Sequence, residues 1–414
     1  MLYIANIFIR GLTLISKFAL LFLLARYLDV DELGLYGLFA ATITYSIYLL
    51  GLEFYTYSTR ELIKSPLSKR WGLIKSQFCL YSITYPIVFF LISVIFWGGL
   101  LPWSLTLLFY VILTLEHLSQ EIYRILIATT QQLSATIAIF IRQGLWIWIS
   151  VFFLYACPEL RNLQFILCSW LCGSLFCLIY SMAKVRKVNK GSGDVCWRWV
   201  YRGVFTAMPF FISSIFVMAI STVDRYWFES LVNRDALGYY VFYSGLVSAL
   251  ISFLDAAVFS FIYPKLVQHA GDSDNKSFSL LMKKMLRQTI YFAGLFILSA
   301  IYLIDFILML VNRFDGNTYI YVFYFLLFST ILQVLSYIPH YGLYARGFDK
   351  PIIFINIGGF FIFLIVTFAF LNVSETYAIP ISLCITHSFI LLAKTFFYYS
   401  LPMKNTCKDS MVKV

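Results

Sequence analysis

The chain has 414 residues, of which 61% are hydrophobic, 20% are aromatic and only 12% are charged. Soluble domains carry about 25% charged residues, so this composition excludes a soluble globular protein and indicates a membrane protein. The formal net charge of +11 requires no nucleic-acid partner, because most of the excess cations lie in short loops that would face anionic lipid headgroups.

Continuous apolar runs recur along the chain, each about the 20 residues that a helix needs to cross a hydrocarbon core about 30 Å thick. The runs do not alternate strictly between apolar and polar residues, which favours helices over a transmembrane barrel. The first run is too long for a cleaved signal peptide and should remain in the mature protein. We predict about twelve spans, at 3–26, 35–58, 78–98, 104–127, 135–156, 163–183, 204–228, 239–263, 288–311, 319–344, 352–371 and 377–400.

The distribution of lysine and arginine predicts the orientation of these spans. The loops after the second, sixth and eighth spans are strongly basic, and the tail adds further lysines. The loops on the opposite side hold only Arg26, Arg161, Arg234 and Arg313. By the positive-inside rule, we expect both termini to be cytoplasmic.

A short phrase occurs twice, as DELGLYGLF from Asp31 and as DALGYYVFY from Asp235. Each copy places a glycine, Gly34 or Gly238, after an acidic turn and just before a predicted span. Six spans separate the copies, so the phrase predicts two parallel six-helix halves. We expect an N-terminal lobe at 1–183, a basic cytoplasmic linker at 184–203, a C-terminal lobe at 204–401 and a cytoplasmic tail at 402–414.

Motifs of metal, redox and nucleotide chemistry are missing from the sequence. The eight cysteines show no CxxC spacing, and there is no Walker A loop or Gly-rich dinucleotide turn. We therefore expect no cofactor, no resident metal and no enzymatic activity. Two stacked halves with a cleft between them are the architecture of many transporters, and we expect transport to be driven by an ion gradient or by removal of the product.

Ionisable residues inside the spans are the candidates for function, since each costs about 2.5–3.5 kcal/mol at a helix centre. In the first span, Asn6, Arg10, Thr13 and Lys17 share one helical face. In the fourth span, Glu116, His117, Gln120, Glu121 and Arg124 form a stripe of mixed charge. These charged residues have two possible roles. They could line a cationic cavity between the halves, or opposite charges could pair and hold helices together.

The cavity hypothesis assigns roles to two sets of residues. Arginine suits phosphate and pyrophosphate groups as a bidentate fork, and lysine suits them as a compact charge. The candidates for substrate binding are Arg10, Lys17, Arg124, Arg142 and Lys394. The candidates for ion coupling are Glu116, His117, Glu121, Asp255 and His387, although a histidine in a membrane helix also serves as a simple hydrogen-bonding contact.

Three stretches resemble the O-antigen flippase (Wzx) family, in the polysaccharide-transport branch of the multidrug/oligosaccharidyl-lipid/polysaccharide exporter superfamily. They are ISKFALLFLLARYLDVDELGLYGLF, STRELI and DRYWFESLVNRDALGYY. The resemblance implies an all-α protein with two six-helix lobes in a V shape. It also implies movement of undecaprenyl-pyrophosphate-linked O-antigen repeat units from the cytoplasmic to the periplasmic leaflet of a bacterial inner membrane, as a step of lipopolysaccharide biosynthesis.

Partners implied by the resemblance are the lipid-linked oligosaccharide, membrane lipid, a polysaccharide polymerase and a chain-length regulator. Two other functions stay open at this stage. A multidrug exporter of the same superfamily would share the fold, but cationic drugs favour an acidic cavity. An O-antigen polymerase would need a long periplasmic loop, whereas the predicted outer loops are short.

Overall fold

A computed structural model describes residues 2–188, 193–272, 274–311 and 318–401. These ranges contain helices and turns but no strand. The helices of the first half are α1 (Leu2–Tyr27), α2 (Val30–Gly51), α3 (Tyr55–Lys64), α4 (Leu67–Trp97), α5 (Thr106–Ala128), α6 (Gln132–Phe140), α7 (Trp146–Ala156) and α8 (Leu163–Val188). They are followed by α9 (Trp197–Leu231), α10 (Arg234–Leu254), α11 (Ser260–Gly271), α12 (Asn275–Val311), α13 (Ile320–Ala345), α14 (Asp349–Phe370) and α15 (Glu375–Ser400).

Twelve candidate membrane spans lie within the described residues, which confirms the predicted all-α fold and the predicted number of spans. Two of the spans contain a π-helical turn, Ile141–Leu145 between α6 and α7 and Asp255–Phe259 between α10 and α11. Several helices are longer than predicted: α4 begins at Leu67 and α12 at Asn275. The predicted spans end where the apolar run meets the first polar turn. The helices continue through that turn because their backbone hydrogen bonds continue.

The predicted second span at 35–58 is wrong at its C-terminal end. Helix α2 ends at Gly51, and α3 begins at Tyr55. Between them, Leu52 and Glu53 have φ angles of 49° and 53°, in the left-handed region. A residue with a β-carbon is rarely found there, so two in succession break the helix, and hydropathy does not detect the break because Leu52 and Phe54 are apolar.

The repeated phrase falls at equivalent points of two helices. Gly34 is the fifth residue of α2, and Gly238 is the fifth residue of α10. Both glycines are buried, and the acidic residues of the phrase lie in the first helical turn. Acidic side chains in a first turn interact favourably with the helix dipole. The glycines therefore lie inside the spans rather than just before them.

The chain divides into two compact units, Met1–Thr222 and Val223–Val414. In the first unit, Leu62, Ile74, Ile122 and Leu126 belong to one buried apolar cluster that also includes Val185. In the second unit, a buried cluster joins α10, α11, α12 and α13. The predicted lobes at 1–183 and 204–401 stay a prediction, as does the linker, of which residues 189–192 are not described; the tail at 402–414 and Arg313 lie outside the described residues.

Glycine allows a close approach between α8 and the π-helical span beside it. A β-carbon built on Gly173 would lie 2.4 Å from Cδ1 and 3.0 Å from Cβ of Trp146. The Cβ atom of a side chain cannot rotate away, so a larger residue at position 173 would push the two helices apart.

We expect Gly173→Ala to destabilise the protein by about 1–3 kcal/mol, as overpacked core substitutions do. Its matched control is Gly294→Ala in α12, where a β-carbon would meet nothing within 4 Å. The control should be neutral or slightly stabilising, because alanine favours a helix over glycine by about 1 kcal/mol. Thermal unfolding midpoints in detergent test both variants, and equal midpoints would contradict the packing described here.

Candidate functional site

A buried carboxylate, Glu121 of α5, is the centre of a hydrogen-bond network in the first unit. Its Oε2 atom accepts hydrogen bonds from the Tyr81 hydroxyl at 2.6 Å and from Gln77 Nε2 at 2.8 Å. Its Oε1 atom pairs with the guanidinium of Arg124, one turn along the same helix. Glu121 is fully buried. Three donors on two helices therefore satisfy a charge that has no access to solvent.

Arg124 extends from this network to the break between α2 and α3. Its Cζ atom lies 3.5 Å above the centroid of the Tyr55 ring, a cation–π contact. Glu53 is the second residue of the break. Its carboxylate interacts with Tyr55 and with Ser214 of α9. The unusual backbone conformation thus places a buried acid and an aromatic ring beside Arg124.

His117 lies one turn before Glu121 on α5 and is completely buried. Its Nδ1 atom is 2.9 Å from the Tyr85 hydroxyl, and its Nε2 atom has no hydrogen-bond partner. The Tyr81 ring contacts the imidazole edge to face, with centroids 4.7 Å apart. A β-carbon on Gly51 would come within 3.5 Å of Nε2. The end of α2 therefore covers this atom.

A second buried ion pair connects α5 to the π-helical turn. Arg142 Nε lies 3.7 Å from Glu116 Oε2, and both side chains are less than 10% exposed. The other carboxylate oxygen, Oε1, accepts hydrogen bonds from Trp170 Nε1 at 2.9 Å and from the Ser174 hydroxyl at 2.5 Å, both on α8. Two nitrogens of Arg142, Nε and one terminal nitrogen, make no hydrogen bond. Glu116 therefore holds three elements together.

The predicted polar face of α1 divides into exposed and buried positions. Arg10 and Lys17, seven residues apart, are both exposed. Thr13 lies between them and is buried, with its hydroxyl donating to the carbonyl of Ile9. Among the described residues, no ion pair includes Arg10. An exposed arginine without a carboxylate partner has its donors available for a ligand.

Lys394 and His387, two turns apart on α15, lie inside the second unit. Lys394 is only 4% exposed, and the His387 Nδ1 atom is 2.7 Å from the Ser329 hydroxyl of α13. The Lys394 charge acts on both His387 and His340 of α13. Within the described residues, Lys394 is in no ion pair. The second unit thus contains a buried cation with two histidines nearby.

Asp255 differs from the other acidic candidates because it is exposed. It is the first residue of the π-helical turn Asp255–Phe259, and its charge acts on Tyr341 of α13. A π-helical turn inside an α-helix is frequent at functional sites, because it redirects side chains and leaves the hydrogen-bond ladder locally imperfect.

The structure thus brings the predicted residues together in separate groups. Arg124 joins Glu121, Arg142 joins Glu116, and Lys394 joins His387 in the other unit. Sequence reasoning missed the partners that complete these groups. They are Tyr55, Gln77, Tyr81, Tyr85, Trp170, Ser174, Ser329 and His340. Tyrosine, tryptophan and serine are common throughout the apolar spans, so their type alone could not identify them.

Comparison with known proteins shows the family of this chain. The profile of the family described as "Polysaccharide biosynthesis protein" matches residues 3–270, which is more than half of the chain. The chain belongs to this family. No curated protein matches it significantly.

Among solved structures, the chain is similar to the lipid II flippase MurJ in an inward closed conformation. The TM-score is 0.69 at 15% sequence identity, and the alignment covers 97% of this chain and 88% of the MurJ chain. At this identity the similarity shows a shared fold. Together with the twelve apolar helices, it identifies a multi-pass membrane protein of flippase-like fold.

The Glu121–Arg124 pair can be tested by a double-mutant cycle. We expect Glu121→Ala to destabilise the protein by about 3–5 kcal/mol, because it leaves a largely buried guanidinium without its carboxylate. Adding Arg124→Ala should recover part of that loss, so the coupling energy should exceed about 1 kcal/mol.

Glu229 and Arg234 provide the control cycle. Their Oε1 and Nε atoms are 2.6 Å apart, but the arginine side chain is 41% exposed. Exposed pairs contribute about 0–1 kcal/mol. Denaturant unfolding in mixed micelles measures both cycles, and equal coupling energies would show that the network around Glu121 adds nothing to its ion pair.

Proposed function

We propose that the protein is a flippase for undecaprenyl-pyrophosphate-linked oligosaccharide, moving O-antigen repeat units from the cytoplasmic to the periplasmic leaflet of a bacterial inner membrane. Family membership supports polysaccharide synthesis as the process, and the MurJ-like fold supports flipping of a lipid-linked sugar as the step. The proposal places both termini in the cytoplasm and includes the polymerase and chain-length regulator as downstream partners.

The observation that carries the proposal is the pair of exposed cations on α1. Arg10 and Lys17 lie in a candidate membrane span, yet their side chains are accessible. A cation facing acyl chains at that depth costs about 2.5–3.5 kcal/mol, whereas one facing water or an anionic ligand is stabilised. A pyrophosphate offers such a ligand. We therefore assign Arg10 and Lys17 to the substrate headgroup, within the partly cationic central cavity that the sequence predicts.

The other three cations have a different proposed role. Arg124, Arg142 and Lys394 are held inside their units, the first two by carboxylates. Each would reach the substrate only if its buried contacts rearranged during alternating access. We propose that Arg124 does so, because it is the least buried member of its pair, with 20% of its side chain exposed.

Ion coupling is proposed to involve one of the carboxylate or histidine groups, with Glu116, His117, Glu121, Asp255 and His387 as candidates. Three of these lie on α5 and already have partners, so a change in the protonation of one would alter contacts to α4 or α8. Such a local change is the kind of event that can bias a two-state equilibrium.

The first experiment is leaflet-resolved detection of lipid-linked oligosaccharide in a host strain lacking the gene. Unpolymerised units should accumulate on the cytoplasmic face and clear when the gene is restored. Accumulation of unpolymerised units on the periplasmic face would instead show that the protein acts after translocation, and the flippase proposal would be wrong.

The α1 assignment predicts that Arg10→Ala and Lys17→Ala each reduce transport at least about tenfold at normal abundance, since a charge-assisted hydrogen bond contributes about 1.5–3 kcal/mol. Arg10→Lys should retain partial transport because the charge remains. Arg26→Ala removes a cation from the last turn of the same helix and should preserve transport. Wild-type transport by both alanine variants would show that α1 is not part of the substrate site.

The test of Arg124 needs variants that distinguish an effect on substrate binding from an effect on protein stability. Arg124→Ala should abolish transport and Arg124→Lys should retain part of it. The double variant Glu121→Gln/Arg124→Ala removes both charges of the pair, so it should recover protein abundance while transport stays lost. Recovery of transport in the double variant would show that Arg124 only neutralises Glu121.

A further inference from the structure

A cavity in the first unit lies apart from the charged groups described above. It has a volume of about 420 Å³ and is bordered by α4, α5, α8 and the segment that leads into α9. Small-molecule sites typically enclose about 300–1,000 Å³, so the cavity is large enough for part of an amphiphile. Six residues of α4 between Trp71 and Ser82 share one face of the helix and form one wall.

The walls of the cavity are apolar, and its two cations come from different helices. Ile74 of α4 and Ile122 and Ile125 of α5 are buried and contribute to the lining. Lys75 of α4 and Arg186 of α8 complete it, and both are exposed. In the described part of the chain, neither cation takes part in an ion pair. The lining thus combines an apolar surface with two available positive charges.

One wall of the cavity is fixed by close contacts between α4 and the segment that leads into α9. Gly72 of α4 approaches Gly193 so closely that a β-carbon on Gly193 would lie 2.8 Å from the Cα atom of Gly72. The Ser76 hydroxyl accepts a hydrogen bond from the backbone N–H of Cys196 at 2.9 Å. These two contacts fix Val195, which lines the cavity between them. Contacts within the protein therefore set this wall of the site.

Its position along the helices places it at one end of the unit. Lys75 lies in the first third of α4, which begins at Leu67, and Arg186 lies near the end of α8 at Val188. Basic residues accumulate in the adjoining segments, at Lys64, Lys69, Arg70 and Lys184. This is the end at which a lipid headgroup would meet the protein if the apolar part of the helices spans the bilayer.

We propose that this cavity binds a phospholipid of net negative charge, with its phosphate between Lys75 and Arg186 and the upper part of an acyl chain against the isoleucines. Basic pockets between membrane helices bind anionic headgroups, and the lysine and arginine here offer a point charge and a fork to one phosphate. The site is separate from the exposed α1 cations, so the proposal does not depend on the flippase function.

The cavity is connected to the network around Glu121 through two aromatic side chains of α4. Phe78 lines the cavity and contacts Tyr81 edge to face, with ring centroids 6.0 Å apart. Tyr81 donates to Glu121. A lipid that fills the cavity therefore supports the aromatic ring that positions one of the Glu121 donors.

Lipid binding can be measured by native mass spectrometry and by the labelling rate of Cys79, which lines the cavity. The probes are phosphatidylglycerol and phosphatidylcholine with identical acyl chains. We expect phosphatidylglycerol to be retained preferentially and to slow maleimide labelling of Cys79 several-fold. Peptide-resolved detection uses Cys168 as an internal control, because it is exposed on α8 and does not line the cavity.

The double variant Lys75→Ala/Arg186→Ala should lose the preference for phosphatidylglycerol by about tenfold, since each cation near an anionic headgroup contributes appreciably. Lys69→Ala/Lys184→Ala removes the same charge from the same two helices outside the cavity and should retain the preference. Because Lys75 and Arg186 are exposed, their loss should leave the fold intact.

Three results would overturn the proposal. Equal protection of Cys79 by both lipids would show an apolar groove without headgroup selection. Protection by glycerol phosphate alone would show an anion site that does not need an acyl chain. An equal loss of preference in the two double variants would show a diffuse effect of basic charge rather than a built site.

Discussion

A charged side chain without access to water must be paired or hydrogen-bonded by the protein. This constraint organises the helices around α5. Glu121 and Glu116 lie five residues apart on α5, so their side chains point to different neighbours. Glu121 takes its donors from α4 and from Arg124. Glu116 takes its hydrogen-bond donors from α8 and forms an ion pair with Arg142 of the π-helical turn. One helix thereby fixes the positions of its neighbours through two carboxylates.

Two segments of irregular backbone in the first unit lie beside these buried charges. The left-handed pair Leu52 and Glu53 places Tyr55 over Arg124, and the π-helical turn contains Arg142. Residues in sparsely populated backbone regions cost about 1–3 kcal/mol each, and they persist when surrounding contacts hold them in place. At Glu53 those contacts include Tyr55 and Ser214. Relaxation of either irregular turn would uncouple a cation from its present partner, so the turns and the ion pairs form linked elements.

Hydropathy was sufficient to predict the twelve spans and their approximate positions, because the membrane imposes length and apolarity on every crossing helix. The charged stripe of α5 was also visible from spacing alone. The partners were not visible: Gln77 lies 44 residues before Glu121, and Trp170 lies 54 residues after Glu116. The cavity beside Lys75 depends on four segments and on a glycine contact, none of which has a local sequence signal.

The number of cations in the spans is therefore a poor measure of how much positive charge a substrate meets. Arg124 and Arg142 are already compensated by carboxylates, and Lys394 is buried with histidines. Arg10 and Lys17 are the members of the predicted set that are exposed. An ion pair presents little net field beyond its immediate surroundings, so in the proposed function Arg124 and Arg142 attract an anionic headgroup less than the exposed cations of α1 do. The paired cations can add to it only when their carboxylates are protonated or drawn away, and that dependence would connect ion coupling to substrate binding.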